Sequence, residues 1–210
     1  MIDILGLLRP RPLIAVLRAD DASRFLAASE VLCGAGITAL EFTLTTRGAL
    51  AALTAVRGAL PDEVLLGMGT IRTCQHVRDS IDAGASFLVN QTYAPDLVEV
   101  ARTRDVPFIP GALTPTEIVH AWAGGVPAVK VSPIGPVGGV DYLAELRGPL
   151  PDIPLVPTGG VCAELAAAYL HGGAAAVGVS RDLLRDALGP HGDLVALGRR
   201  ARALVDSLDS

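Results

Sequence analysis

The feature that most limits what this chain can fold into is a rhythm. Short apolar runs alternate with longer amphipathic stretches from end to end, and no long linker interrupts them. The predicted strands are Leu13–Arg18, Ala39–Leu44, Val64–Gly69, Phe87–Asn90, Val106–Ile109, Ala128–Val131, Leu155–Pro157 and Ala175–Val179. Helices are expected between them. One starts at Asp20-Asp21 and runs to Ala35, where Gly36 stops it; others run from Arg47 to Leu60 and from Thr73 to Ala83, the latter closed by Gly84. Further helices begin near Pro95, Thr114, Val140, Ala163 and Arg181, and a last amphipathic one covers Gly192 to Leu208. Alternation of this kind builds a parallel sheet with helices outside it. Eight strand-then-helix units in 210 residues point to a single-domain (β/α)8 TIM barrel over residues 1–210, with Met1–Leu8 as a short N-terminal cap helix. An open doubly wound sheet is the competing arrangement, but Arg18-Ala19-Asp20 follows the first strand in place of a dinucleotide-binding glycine fingerprint.

Composition excludes several functions. Half the residues are hydrophobic, yet the apolar runs fall short of the roughly 18 residues of a membrane span. A net charge of −5 leaves no basic footprint for nucleic acid. The start of the chain carries Asp3 and no basic leader, so it does not read as a signal peptide. Three widely spaced cysteines argue against a disulfide framework and for a reducing, cytoplasmic setting. His76, His120, His171 and His191 show no metal-ligand spacing, so neither a metal nor a cofactor is expected.

One lysine stands among 17 basic residues, and it lies inside the apolar run Ala128-Val129-Lys130-Val131-Ser132-Pro133. An amine can lose its proton and attack a carbonyl; a guanidinium effectively cannot. In a barrel, chemistry sits at the C-terminal ends of the strands. Alternation turns Val129 and Val131 outward and leaves Lys130 and Ser132 inward. In Leu40-Glu41-Phe42-Thr43-Leu44 the same rule sends Glu41 and Thr43 inward. An inward glutamate is costly unless it is paired or near solvent. The second and sixth predicted strands face each other across an eight-strand ring, and alternate strands share a layer. Glu41 and Lys130 are therefore expected to meet at one central site.

Two glycine-rich turns suggest an anion cradle. Thr158-Gly159-Gly160 follows the seventh predicted strand, and Gly178-Val179-Ser180 ends the eighth. Glycine lets backbone N–H groups approach a phosphate closely, and these two loops are where this fold usually binds one. Gly67-Met68-Gly69-Thr70 ends the third strand, with Thr70 as a candidate donor to a carboxylate.

These residues, with Ile14-Ala15-Val16-Leu17-Arg18, Phe108-Ile109-Pro110-Gly111 and Pro157-Thr158-Gly159-Gly160-Val161, resemble the 2-keto-3-deoxy-6-phosphogluconate/4-hydroxy-2-oxoglutarate aldolase family in order and spacing. Members are class I lyases that form a Schiff base with pyruvate. The resemblance implies Lys130 as the nucleophile, Glu41 as the acid/base, and Thr70 as the carboxylate ligand. Gly159, Gly160, Gly178 and Ser180 would hold a phosphate, and Arg18, Thr45, Arg47, Gln91, Ser132 and Thr158 would complete the substrate pocket. It further implies a small 2-keto acid substrate and a homotrimer. Three positions depart from the family pattern. Thr45 stands where phosphogluconate-type members have an arginine, with Arg47 two residues on. Asn90-Gln91 replaces a common Ser-Pro or Thr-Pro, and Ser132 replaces an aromatic. A phosphate-binding barrel synthase of thiamine or tryptophan biosynthesis would share the glycine loops without requiring the Lys–Glu pair. A non-catalytic sugar-phosphate sensor of the same fold is the other alternative.

Overall fold

The computed structural model describes residues 3–208; Met1 and Ile2 of the expected N-terminal helix lie outside them. The chain opens with α1 (Ile4–Leu8) and β1 (Leu13–Leu17), and strands and helices then alternate. The next elements are α2 (Phe25–Gly34), β2 (Ala39–Thr43), α3 (Ala49–Ala59), β3 (Leu65–Gly69), α4 (Cys74–Asp82), β4 (Phe87–Val89) and α5 (Pro95–Arg102). After β5 (Phe108–Ile109) and β6 (Gly111–Ala112) come α6 (Pro115–Ala123), β7 (Val129–Val131), α7 (Gly139–Arg147), β8 (Leu155–Pro157), α8 (Ala163–His171), β9 (Val177–Val179), α9 (Arg181–Leu184) and α10 (Leu194–Asp206).

Every strand pairing is parallel. Six strands form a sheet in the order β5-β4-β3-β2-β1-β9, and three form a second in the order β6-β7-β8. The coarser part of the expectation is met: a mixed α/β fold with a curled parallel sheet of six strands. The fifth predicted strand differs in detail. It shortens to β5, which pairs with β4, and beyond Pro110 the chain adds β6, which pairs with β7. Proline has no N–H to give the ladder, but its carbonyl still accepts from Lys130 N–H at 2.8 Å. Backbone contacts also run between β8 and β9: Ala175 N–H donates to Leu155 O at 2.8 Å, and Thr158 bridges Gly178.

Burial divides the apolar residues into two sets, as a period-two strand requires. Leu13, Ala15, Leu17, Leu40, Phe42, Leu66, Met68, Val129, Val131, Leu155, Val177 and Val179 pack outward with buried helix residues such as Phe25, Leu53 and Leu197. Ile14, Val16, Ala39, Leu65, Phe87, Val89, Ile109, Ala128, Val156 and Ala176 form a separate inner cluster with Ile4 and Leu8 of α1. Ala39 and Leu65 open their strands and Ala128 and Ala176 precede theirs, whereas Val16 and Val156 lie level with Glu41 and Lys130. Further along the same inner face the residues change in kind.

Candidate active site

Two residues beyond Ala39, on the same face, comes Glu41; two beyond Ala128 comes Lys130. Both are buried, at 2% and 7% exposure. Lys130 Nζ stands 3.7 Å from Glu41 Oε1. That is longer than the roughly 2.7–2.9 Å of a charge-assisted hydrogen bond, so the two groups face each other without clamping. The expectation drawn from alternation and ring position is met here in geometry.

Neighbouring strands withhold side chains on this face, and a different group fills each space. Gly67 and Gly69 lie level with Glu41 and Thr43 on β3. A Cβ on Gly69 would collide with the Glu41 carboxylate, and one on Gly67 would collide with the Phe87 ring. Gly111 lies level with Lys130, and a Cβ there would collide with the Gln91 backbone. The alternating Gly-Met-Gly of β3 thus opens space inward while Met68 still fills the outer core.

Above the pair lies a cleft of about 520 Å³ lined by Arg18, Thr45, Thr70, Ile71, Arg72, Asn90, Gln91, Thr92, Ala94, Leu97 and Lys130. Thr70 adopts φ +64°, a left-handed conformation that a β-branched residue rarely takes and that clusters at functional sites. Its hydroxyl accepts from Arg18 Nη2 at 3.3 Å. Thr45 donates to Thr43 Oγ1 at 3.4 Å, and Thr43 in turn donates to Leu17 O at 3.3 Å, so a chain of hydroxyls ties β2 to the end of β1. Gln91 Nε2 donates to Ser132 O at 2.9 Å. The lining carries three cations, Arg18, Arg72 and Lys130, and no Asp or Glu. Arg72 is the residue the sequence reading missed. It follows Thr70 and Ile71 in the loop after β3, where its charge was legible but its direction was not.

The other expected residues fall into two groups. Ser132, Thr158, Gly159, Gly160, Gly178 and Ser180 lie together on the far side of Lys130. Gly159 and Gly160 take φ +81° and +83°, which a side chain would strain. A Cβ on Gly159 would approach Ser132 Oγ to 3.3 Å, and one on Gly178 would collide with Thr158. Ser180 Oγ donates to Val16 O at 2.7 Å. Arg47 is not brought to the cleft. It pairs with Asp21 at 3.4 Å, both side chains exposed, beside a separate open hollow that includes Ser23 and Ala52. Asp21 lies 26 residues earlier, at the end of the loop after β1, which strand pairing sets next to the loop after β2.

The family model for KDPG and KHG aldolase matches residues 4–198. The chain belongs to this aldolase family. Aldolases are carbon–carbon lyases, and the curated relatives agree. The 2-dehydro-3-deoxy-phosphogluconate aldolase of Pseudomonas aeruginosa is 33% identical over 164 residues, 78% of this chain and 74% of the relative. Among solved structures, the 4-hydroxy-2-oxoglutarate/2-dehydro-3-deoxyphosphogluconate aldolase from TTHB1 is 34% identical with a TM-score of 0.85, covering 99% of each chain. A Legionella pneumophila KDPG aldolase is 26% identical with a TM-score of 0.87 over 98% of each chain, and it was captured with pyruvate as a covalent carbinolamine.

Proposed function

We propose that this family member is a class I aldolase cleaving a 2-keto-3-deoxy sugar acid, of the 6-phosphorylated gluconate type, or 4-hydroxy-2-oxoglutarate to pyruvate and an aldehyde. The observation that carries this reading is the buried Lys130–Glu41 pair, 3.7 Å apart, with Lys130 reaching a cleft lined otherwise by neutral side chains and two arginines.

Lys130 Nζ, as the free amine, attacks the C2 carbonyl. Loss of water leaves an iminium bonded to C2. A base removes the C4 hydroxyl proton, the C3–C4 bond breaks, and its electron pair passes through C2 to the iminium nitrogen. The aldehyde departs and an enamine remains. Protonation of its C3 and hydrolysis of the imine release pyruvate and restore the lysine. Glu41 takes the C4 hydroxyl proton and returns it to C3, so one carboxylate serves both steps. The iminium is the electron sink, which is the work a metal does in other aldolases. Thr70, with Arg18 behind it, receives the C1 carboxylate, and Arg72 adds a second guanidinium to that side of the cleft. Thr45, Gln91, Ser132 and Thr158 line the path of the substrate chain. Gly159, Gly160, Gly178 and Ser180 receive the phosphate. Arg47 keeps its ion pair with Asp21 and has no part in this reading.

In the same proposal the two sheets close as one eight-strand barrel and a single domain, with α1 capping its N-terminal end. The protein works in the cytoplasm, in carbohydrate metabolism, as a homotrimer. Exposed Leu165 on α8 and Val195 on the neighbouring α10 offer apolar surface for such contact, and light scattering after size exclusion tests the assembly. Assay of pyruvate release from phosphorylated and unphosphorylated 2-keto-3-deoxy acids tests the substrate class. A sugar-phosphate sensor would bind such a compound and release no pyruvate.

A further inference from the structure

We propose that Asp182 is a positioning residue that locks the two glycine-rich turns to one another and so sets the preference for a substrate carrying a terminal phosphate. The proposal rests on the aldolase reading and its phosphate cradle, and adds to them a residue outside both turns.

The two turns belong to different loops, Thr158-Gly159-Gly160 after β8 and Gly178-Val179-Ser180 at the end of β9. Thr158 bridges Gly178, which joins the strand ends. Beyond that bridge the chain segments part, one toward α8 and the other into α9. Asp182 joins them again: its Oδ2 accepts from the Ala163 N–H at 3.0 Å. Ala163 is the first residue of α8, whose own N-cap, Cys162, makes no side-chain capping bond. A helix start needs acceptors for its free N–H groups, and here α9 supplies one to α8.

Asp182 can transmit a position because α9 is itself anchored. Leu183 and Leu184 are buried. Their carbonyls accept from Arg200 of α10, Leu183 O from Nε at 2.7 Å and Leu184 O from Nη2 at 3.1 Å. Ser180 Oγ ties the same segment to Val16 O. On its other flank the Gly159-Gly160 turn is stitched to the segment after β7. Ile134 N–H donates to Thr158 O at 3.0 Å, and Gly135 N–H donates to Gly159 O at 2.9 Å. The two glycines thus lie between two fixed points, and Asp182 holds the second. Glycine at positive φ has wide conformational freedom, so these N–H groups stay aimed at a phosphate only while both ends are held. Asp182 Oδ1 also faces Arg185 Nη2 at 3.8 Å, but both side chains are partly exposed and such a pair contributes little. The acceptor oxygen on Ala163 is what matters.

The test runs in the synthetic direction, joining pyruvate to glyceraldehyde 3-phosphate or to glyceraldehyde. The kcat and KM for each aldehyde are measured in the wild type, Asp182→Ala and Asp182→Asn. Alanine removes the acceptor, whereas asparagine keeps an oxygen for the Ala163 N–H and drops the charge. In Asp182→Ala the KM for the phosphorylated aldehyde should rise about 3- to 10-fold, the size of one hydrogen bond. The kcat, and the KM for glyceraldehyde, should hold. Asp182→Asn should bring the KM back close to that of the wild type. A merely structural cap would lower Tm and leave the ratio of the two aldehydes unmoved, and that result overturns the proposal while leaving the aldolase intact. Tighter binding of the phosphorylated aldehyde in both variants also overturns it, because Asp182 would then act by repulsion. A wild type that treats the two aldehydes alike overturns the phosphate cradle and the proposal with it. Failure of the wild type to form an imine with pyruvate overturns the aldolase reading itself.

Discussion

The two ends of the same strands are built to opposite rules. Toward the N-terminal ends the inward residues are Ile14, Ala39, Leu65, Ala128 and Ala176, packed with Ile4 and Leu8. One or two steps on, the same face carries Glu41, Thr43, Lys130, Ser132 and Thr158, all buried, beside Gly67, Gly69, Gly111 and Gly178. The backbone is shared; only the side chains change. Burial of apolar area at one end stabilises the fold, and that offsets the cost of two buried charges and several hydroxyls at the other. Loss at the first end is felt as stability, and loss at the second as chemistry.

Variants can break this division, and the largest effect is expected at the nucleophile. Lys130→Arg keeps the charge and removes the attacking amine, so turnover falls to background while the thermal transition moves little. Retained activity would refute the mechanism. At the other end, Ile14→Ala empties a side chain from the inner cluster and costs about 2–5 kcal/mol, read as a fall in Tm of roughly 10 °C. Its kcat per folded molecule should change far less.

Gly69→Ala tests the boundary between the two regions. A Cβ there strikes the Glu41 carboxylate, so the acid/base is displaced while Lys130 is untouched. Turnover should fall by about 100-fold, the scale of a misplaced proton-transfer group, with pyruvate still captured as an imine. Arg72→Ala should raise the half-saturating pyruvate concentration by about 3- to 10-fold, the size of one charge-assisted contact at an exposed edge, and titration of imine formation would read it directly.

The smallest effect concerns the mouth's scaffold. Glu117 closes the start of α6 by accepting from the N–H groups of Thr114 at 2.8 Å and Leu113 at 2.9 Å. Those bonds, Thr114's first, hold its carboxyl below its ordinary value of 4.5. A depressed carboxyl stabilises the fold above its unfolded value and stops doing so as pH drops through the folded one. The contribution is thus complete above about pH 4.5 and lost below it. Glu117→Gln should flatten that part of the stability–pH curve by roughly 0.3–1 kcal/mol, measured as Tm between pH 3 and pH 6.

Much of this was legible in the sequence because one rule, period two on a strand, governs both ends. It put Glu41 and Lys130 inward, and counting strands made them face. Strand edges were less legible. The prediction ended the fifth strand at Ile109 and so left out Gly111 and Ala112, which pair with β7 beyond Pro110. Asp20-Asp21 read as a helix start, whereas Asp21 accepts from Ser23 N–H in a local turn and α2 begins at Phe25. Loop side chains were the least legible. Arg47 was expected in the pocket and turns to Asp21; Arg72 was passed over and lines the cleft. A flexible guanidinium goes where its nearest partner lies, and that partner is fixed by tertiary neighbours, not by local pattern.

The central claim is that Lys130 attacks a 2-keto acid, and the chain's single lysine makes it directly measurable. Wild-type protein is incubated with pyruvate and borohydride, and its intact mass and peptides are read. The account predicts one reduced pyruvate per chain, located on Lys130 and absent from Lys130→Arg. No adduct, or one confined to the N-terminal amine, would contradict it.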